Sequence, residues 1–145
     1  KQDGRLVHQS TIVHSYPYIV IDNEAGLENL SRRIVQAVDL LVVVGDPSMN
    51  GLATIRRIHA LAAEMEIAYR KFAVVINRVR SPELPESARS LAREVNADFL
   101  IKIPDNGEIA GYNESGESLL RLAGANEAGG IVQQWISQIM KENMP

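Results

Sequence analysis

The amino-acid sequence predicts an α/β fold, a mostly parallel sheet with flanking helices, because short apolar runs alternate with segments of helical period. The first three runs are continuous and rich in β-branched residues, without alternation of polar and apolar side chains. Strands that are buried on both faces of a parallel sheet have this composition. The predicted strands are Tyr18–Ile21, Leu40–Val44, Phe72–Ile76 and Phe99–Ile103.

Segments with apolar residues at intervals of three and four separate or follow these strands, which is the period of a helix with one buried face. In the third segment, Ser81 followed by Pro82 predicts a helix start, since a hydroxyl cap precedes a residue that needs no amide partner. The predicted helices contain residues 27–38, 52–65, 84–95 and 131–139.

Length and composition exclude several classes of protein. The 145 residues suit one domain with one core, so residues 1–145 are predicted to be a single domain, with residues 1–15 irregular. A net charge of −3 gives no general attraction for nucleic acid or for a membrane surface. The absence of cysteine excludes disulfides, Cys-ligated zinc and thiol nucleophiles, and it fits a cytoplasmic protein. The longest apolar run, Leu40–Val44, is far shorter than the roughly 20 residues that span a bilayer.

The residues after each predicted strand are the first candidates for a functional site, because ligands of open parallel sheets bind at the carboxyl ends of the strands. These strand ends are 22–26, 45–48, 77–78 and 104–107. Small, acidic and turn-forming residues are common after strands in any α/β protein. Their occurrence at every predicted strand end nevertheless favours a shared site.

Asp22 and Gly26 suit the binding of magnesium and phosphate. A carboxylate at a strand end can hold a hydrated Mg²⁺ ion, which keeps several waters. Gly26 lets the backbone approach a terminal phosphate, and the predicted helix after it adds positive potential. The alternative is that Asp22 only caps this helix. Glu24 is a candidate general base or second metal ligand, although a solvated turn residue is the simpler interpretation.

Asn77 and Arg78 form the second candidate element, at the end of the third predicted strand. The side-chain amide of Asn77 can present both a donor and an acceptor to the edge of an adenine ring. Taken alone, a merely polar strand end is an equally good interpretation of these residues.

Motifs at these strand ends resemble, in order, segments of the MinD/ParA-type ATPases, and within that family the CooC-type accessory ATPases. The stretch Tyr18–Arg33, with Asp22-Asn-Glu-Ala-Gly26 inside it, resembles the switch II segment. Residues 37–48 are similar to the family's strand that ends in Pro-Ser. Val74–Arg78 resembles its base-recognition strand, and 103–120 its nucleotide-facing loop and closing helix. The resemblance covers about residues 18–139.

The resemblance implies a P-loop NTPase-like fold and a deviant P-loop ATPase that dimerises around two nucleotides, closing with ATP and reopening on hydrolysis. It implies that Asp22 binds Mg²⁺ through water and helps to orient the attacking water. The backbone amide of Gly26 would meet the γ-phosphate.

The same resemblance implies a base pocket and a set of partners. Asn77, beside Arg78, would hydrogen-bond adenine, and Pro104 and Asp105 would line the pocket. The implied cofactors are ATP or ADP with Mg²⁺, and the implied assembly is a homodimer. Similarity to the CooC-type proteins implies nickel maturation of a metallocentre, with a client such as carbon monoxide dehydrogenase.

Two features of that family are absent from the sequence. It contains neither Gly-x-x-x-x-Gly-Lys-[Ser/Thr], nor a deviant P-loop with an early lysine, nor the Cys-x-Cys metal motif. Both features precede the matched region in the family, so the chain is expected to be the C-terminal portion of such an ATPase. A P-loop supplies the amides and the lysine that offset phosphate charge, so we expect no ATP hydrolysis by this chain alone. An unpaired sheet edge would make it oligomeric or poorly soluble.

Two other functions fit the same residues. The chain could be a non-catalytic α/β binding or dimerisation module without ATPase activity. It could also be a receiver-like or small-molecule-binding domain with a coincidental Asp22. A receiver would have paired acidic residues after its first strand and a lysine after its last, whereas Lys102 lies inside a predicted strand.

Overall fold

A computed structural model describes residues 18–22, 36–122 and 126–142 of the chain. Strands and helices alternate along most of it, which confirms the predicted α/β class. The elements are β1 (Ala37–Gly45), α1 (Met49–Glu64), β2 (Ala68–Val79), α2 (Glu86–Glu94), β3 (Phe99–Pro104), α3 (Gly107–Ser115), a 3₁₀ turn (Leu119–Leu122) and α4 (Glu127–Glu142).

The three described strands form one parallel sheet in the order β1-β2-β3. Val74 in the middle of β2 is paired with Val43 on one side and with Leu100 on the other. Helices α1 and α2 make the connections between neighbouring strands, as parallel pairing requires. The carboxyl ends of all three strands therefore meet at one edge of the sheet.

Strand β2 is buried on both faces, as its continuous apolar run predicts. On one face, α1 and α2 close the larger core around the β2 side chains; its buried members are Val43, Leu52, Ile55, Phe72, Val74, Ile76, Val79, Ala88, Leu91 and Val95. On the other face, Ala73, Val75 and Ile101 pack with Ile131 and Trp135 of α4.

The prediction of a strand at Tyr18–Ile21 is wrong for the described structure. These residues have no regular secondary structure and are exposed, Val20 to 92%. A β-branched apolar run forms a parallel strand only where a neighbouring strand satisfies its backbone groups and helices cover its faces. None of the three described strands pairs with this run.

Strand β1 is an edge strand of the described sheet. Val42 and Val44 on it are exposed although both are large apolar residues. An edge of this kind presents unpaired N–H and C=O groups to other chains. Within the described sheet this is the edge to which the prediction of association applies, and association itself stays a prediction.

The predicted start of α2 at Ser81-Pro82 is also wrong, because the helix begins at Glu86. Pro85 provides the physical reason: a proline disfavours the helical conformation of the residue before it, so Leu84 stays outside the helix. The hydroxyl of Ser81 donates instead to the carbonyl of Glu83, at 2.5 Å.

Among the described residues, no helix combines the length and the apolar character needed to cross a membrane.

Asp98 ties the start of β3 to β2 and should make folding stability depend on pH. Its Oδ1 accepts a hydrogen bond from Lys71 Nζ at 2.7 Å, and its Oδ2 accepts one from the backbone N–H of Phe72 at 2.9 Å. The Lys71 ammonium group first, and then the Phe72 amide, hold the pKa of Asp98 below its ordinary value. The carboxylate therefore stabilises the fold above the unfolded-state pKa, and this contribution is lost as pH falls through the folded-state pKa.

Asp98→Asn should lower the free energy of unfolding at neutral pH by at most about 1 kcal/mol, since the side chain is partly exposed. Towards about pH 2 the difference from the wild type should shrink. Urea titrations across this pH range measure both effects. Asp39→Asn is the control, because its pairing with Arg70 at 3.5 Å is more exposed. If the loss of unfolding free energy in Asp98→Asn stayed constant down to acid pH, this would contradict the stabilising role of the Asp98 carboxylate.

Candidate functional site

Strand β2 ends in a bulge at Asn77 and Arg78. The pairing register with β3 shifts between Ile76 and Val79, and Arg78 has a φ of 59°, in the left-handed region. Asn77 Oδ1 accepts the backbone N–H of Arg78 at 2.9 Å. Bulges that re-aim side chains, and non-glycine residues with this backbone conformation, are concentrated at functional sites. This strand end is therefore the most distinctive backbone feature of the described sheet.

Asp105 lies beside this bulge, directly after β3. Its backbone N–H donates to the carbonyl of Val79 at 2.9 Å, and Val79 is paired with Pro104. The Asp105 carboxylate accepts a hydrogen bond from Arg80 Nε at 2.9 Å, and Arg78 Nε lies 3.9 Å from its other oxygen. The structure thus brings together four residues singled out from the sequence, namely Asn77, Arg78, Pro104 and Asp105.

The end of β1 contributes a second carboxylate to this edge. Asp46 Oδ1 accepts hydrogen bonds from the backbone N–H of Ser48, at 2.9 Å, and from its hydroxyl. The hydroxyl of Ser48 in turn accepts the N–H of Gly51 at 3.0 Å and so caps α1. The pKa of Asp46 is lowered chiefly by the Ser48 hydroxyl, then by the Ser48 amide, with a contribution from the positive charge of Arg78. Asp46 and Arg78 therefore interact electrostatically across the edge.

Two asparagines hold the chain that follows Asp105. Asn106 Oδ1 caps α3 by accepting the backbone N–H groups of Glu108 and Ile109, each at 3.1 Å. The same oxygen accepts a hydrogen bond from Nδ2 of Asn126 at 3.0 Å. Asn126 is only 4% exposed and caps α4 through the N–H of Ala128, at 3.0 Å. The loop after β3 is therefore fixed to the start of α4.

Sequence reasoning included Asp46 only as part of the strand end 45–48, and it did not single out Arg80 or Asn126. For Asn126 a signal existed, because an asparagine directly before a helical segment is a typical N-cap. No local signal indicates the Arg80–Asp105 pair, whose members are separated by 25 positions in the sequence.

The structure does not bring Asp22 into this cluster. Asp22 is exposed at the end of residues 18–22, outside the described sheet. Glu24 and Gly26 lie outside the described residues. Within the described ranges, no group of three His, Asp or Glu side chains could hold a metal ion. The base-side candidates Asn77, Arg78, Pro104 and Asp105 are thus brought together, whereas Asp22, the described candidate for the phosphate side, lies apart from them.

The chemistry of this edge suits a ligand with mixed donors and acceptors. The amide of Asn77 and the guanidinium of Arg78 offer N–H donors, while the Asp105 carboxylate is an acceptor only. The amino-terminal ends of α1 and α3 follow the ends of β1 and β3, and helix amino termini favour anionic groups. Polar groups at the carboxyl edge of a parallel sheet are typical of α/β proteins that bind a ligand there.

Comparison with known proteins supports this class. The chain is 39% identical over 131 residues to an uncharacterised ATP-binding protein of Methanocaldococcus jannaschii, a match that covers 90% of this chain and 51% of that protein. Identity to the carbon monoxide dehydrogenase accessory protein CooC of Rhodospirillum rubrum is 33% over 107 residues, 74% of this chain and 39% of CooC. The septum site-determining protein MinD of Thermotoga maritima is 24% identical over 119 residues, 79% of this chain and 43% of MinD.

The chain is similar to CooC, to MinD and to a further ATP-binding protein, as the motifs at the strand ends predicted. It spans about half the length of the Methanocaldococcus jannaschii relative, and less of CooC and MinD. No protein-family model and no solved structure matches it.

Proposed function

We propose that this chain is the base-binding portion of an ATP-driven switch of the MinD/CooC type. The observation that carries the proposal is the convergence of Asn77, Arg78 and Asp105 at the bulged end of β2. The similarity to a protein named as ATP-binding, over 90% of this chain, supports ATP as the nucleotide.

At the base, each side chain has a distinct task. Asn77 Oδ1 is engaged by the N–H of Arg78, so its Nδ2 group is the donor for a ring nitrogen of adenine. The Asp105 carboxylate accepts the exocyclic amino group of the base. Pro104 packs its ring against the base and brings no N–H donor of its own. Adenine presents both donor and acceptor atoms, so this set of groups complements it.

At the phosphates, Asp22 would hold a hydrated Mg²⁺ ion, which offsets phosphate charge when nucleotide is bound. A single exposed carboxylate fits this ion, because Mg²⁺ takes one or two carboxylates and fills its other positions with water and phosphate oxygens. Gly26 would meet the γ-phosphate through its backbone amide, and Glu24 is the secondary candidate for orienting water. These roles rest on the resemblance of residues 18–33 to switch II.

The wider role that we propose is metallocentre maturation in the cytoplasm, by a homodimer that closes on ATP and opens on hydrolysis. Similarity to CooC favours nickel as the metal and an enzyme such as carbon monoxide dehydrogenase as the client. On this proposal, the single domain of residues 1–145 is the C-terminal part of the ATPase domain. The absence of a P-loop motif from these residues favours the alternative, a binding or dimerisation module without ATPase activity.

Nucleotide titration of the purified 145-residue chain tests the proposal. ATP and adenosine should both bind, and Asn77→Ala should weaken both about tenfold, the loss of one buried hydrogen bond to the base. Isothermal titration calorimetry measures the dissociation constants. Asn113→Ala, at an exposed position of α3, is the control and should leave both unchanged.

One result would count against this function, and another against the expectation that this chain alone is inactive. Failure of the wild-type chain to bind adenosine and ATP would remove the base site. Sustained phosphate release from ATP by the same chain would contradict the expectation that hydrolysis needs a P-loop that these residues lack.

A further inference from the structure

We propose that Arg80 is a positioning residue that fixes the Asp105 carboxylate as the acceptor for the base. The inference rests on the proposed function and deepens it, because it gives the source of selectivity for an amino-substituted purine. Arg80 directly follows β2. Its Nε donates a hydrogen bond to Asp105 Oδ2 at 2.9 Å.

The two arginines near Asp105 are not equivalent. Arg80 is within hydrogen-bond distance of Oδ2, whereas Arg78 Nε lies 3.9 Å from Oδ1 and acts there as a nearby charge. A carboxylate has acceptor capacity on both oxygens. Arg80 therefore occupies one oxygen and leaves Oδ1 with free acceptor capacity on the side of Arg78 and the bulge. This is the oxygen that can accept an N–H group of a ligand.

Asp105 is held at two points, which restricts the direction of that oxygen. Its backbone N–H donates to Val79, and its side chain is held by Arg80. The Asp105 side chain is 32% exposed, while that of Arg80 is 82% exposed. An ion pair with one partner this exposed adds little to folding stability. A functional effect of Arg80 can therefore be separated from a structural one.

The positioned carboxylate predicts a chemical preference. A carboxylate, which can only accept hydrogen bonds, stabilises the binding of a base with an exocyclic amino group and does not stabilise that of a purine that lacks it. Without Arg80 the carboxylate is free to rotate, and part of the binding free energy is spent on ordering it again. Lysine would keep the positive charge but lose the planar Nε–H donor, so it should restore the preference only in part.

The test compares two ligands, ATP and purine riboside triphosphate, which lacks the amino group at position 6. Arg80→Ala should weaken ATP binding about fivefold and leave purine riboside triphosphate unchanged. Asp105→Asn should reduce the same preference, and the double variant should resemble Asp105→Asn alone, because Arg80 acts through Asp105. Arg80→Lys should recover part of the preference. The control is Arg93→Ala, an exposed arginine paired with Glu86 on α2.

The outcomes separate this inference from the function on which it rests. A wild-type chain that binds neither ligand overturns the proposed function, and the role of Arg80 with it. A wild-type chain that prefers ATP, together with an Arg80→Ala variant of equal preference, overturns the positioning role alone. Equal losses for both ligands, or additive losses in the double variant, would likewise exclude action through Asp105. Unchanged thermal stability of Arg80→Ala supports a positioning role.

Discussion

Leu91→Ala should lower the free energy of unfolding by about 3 kcal/mol. Leu91 lies on α2 and is fully buried in the core that α1 and α2 form with the sheet. The substitution removes apolar contacts and leaves a cavity. Val74 and Ile76 of the same core cannot move far to fill it, because β2 is paired on both sides. Urea denaturation followed by circular dichroism measures the loss.

The same substitution at an exposed leucine provides the matched control. Leu120 in the 3₁₀ turn is 86% exposed, so Leu120→Ala should change stability by no more than about 0.5 kcal/mol. Similar losses at the two positions would contradict the packing of α2 against the sheet. A loss confined to Leu91 supports the core that positions the ends of β2 and β3.

The central part of the fold is predictable from the sequence because local patterns determine it. The apolar run of β2 is continuous, and a strand with helices on both faces needs no polar side. In α1, Leu52, Ile55 and Ala62 recur at helical intervals, and all three are buried. In β2 and α1, the apolar residues that the sequence pattern predicts to be buried are buried, and the pattern also predicts the correct secondary structure.

The errors arise where a local pattern depends on distant partners or on a competing local rule. Tyr18–Ile21 has the composition of a buried strand, but composition does not supply a neighbouring strand to pair with. At α2, the favourable sequence Ser81-Pro82 is overruled by Pro85, which restricts Leu84. A second proline three positions later thus moved the helix start to Glu86.

The sequence predicts where the residues of the candidate site lie in the fold, but not which side chains they contact. Asn77 and Asp105 follow predicted strands, and parallel pairing is sufficient to bring strand ends together. The side chains that hold the loop after β3 in place are distant from it in the sequence. The hydrogen bond between Asn126 and Asn106 spans 20 positions, and that between Arg80 and Asp105 spans 25. Which polar side chains meet over such separations depends on helix and loop geometry that no local pattern contains.

The backbone of the candidate site carries a conformational cost at Arg78. Arg78 adopts a left-handed conformation, which costs a residue other than glycine about 1 kcal/mol or more. The hydrogen bond from its N–H to Asn77 Oδ1 offsets part of that cost. Glycine at this position would relieve the strain but would remove the charge that acts on both Asp46 and Asp105. An arginine at this strained position is consistent with the proposed role in ligand binding.

Gly51→Ala should destabilise the protein by about 2 kcal/mol, the opposite of the usual effect of alanine in a helix. Gly51 lies in the first turn of α1, against the loop after β1. A Cβ there would lie 2.3 Å from Asp46 Oδ1 and 2.5 Å from the Asp46 carbonyl oxygen. Both distances are far inside van der Waals contact, and one of the atoms belongs to the backbone. The loop that holds Asp46 would therefore have to move.

Gly111→Ala in α3 separates this clash from helix propensity, because a Cβ at Gly111 meets nothing within 4 Å. It should stabilise the protein by about 0.5–1 kcal/mol, the gain expected from alanine alone. Displacement of Asp46 should also disturb its interaction with Arg78, so Gly51→Ala should weaken ATP binding and Gly111→Ala should not. Thermal denaturation and calorimetric titration of both variants measure these effects. A Gly51→Ala variant as stable as Gly111→Ala would disprove the close approach of α1 to Asp46, and with it this arrangement of the sheet edge.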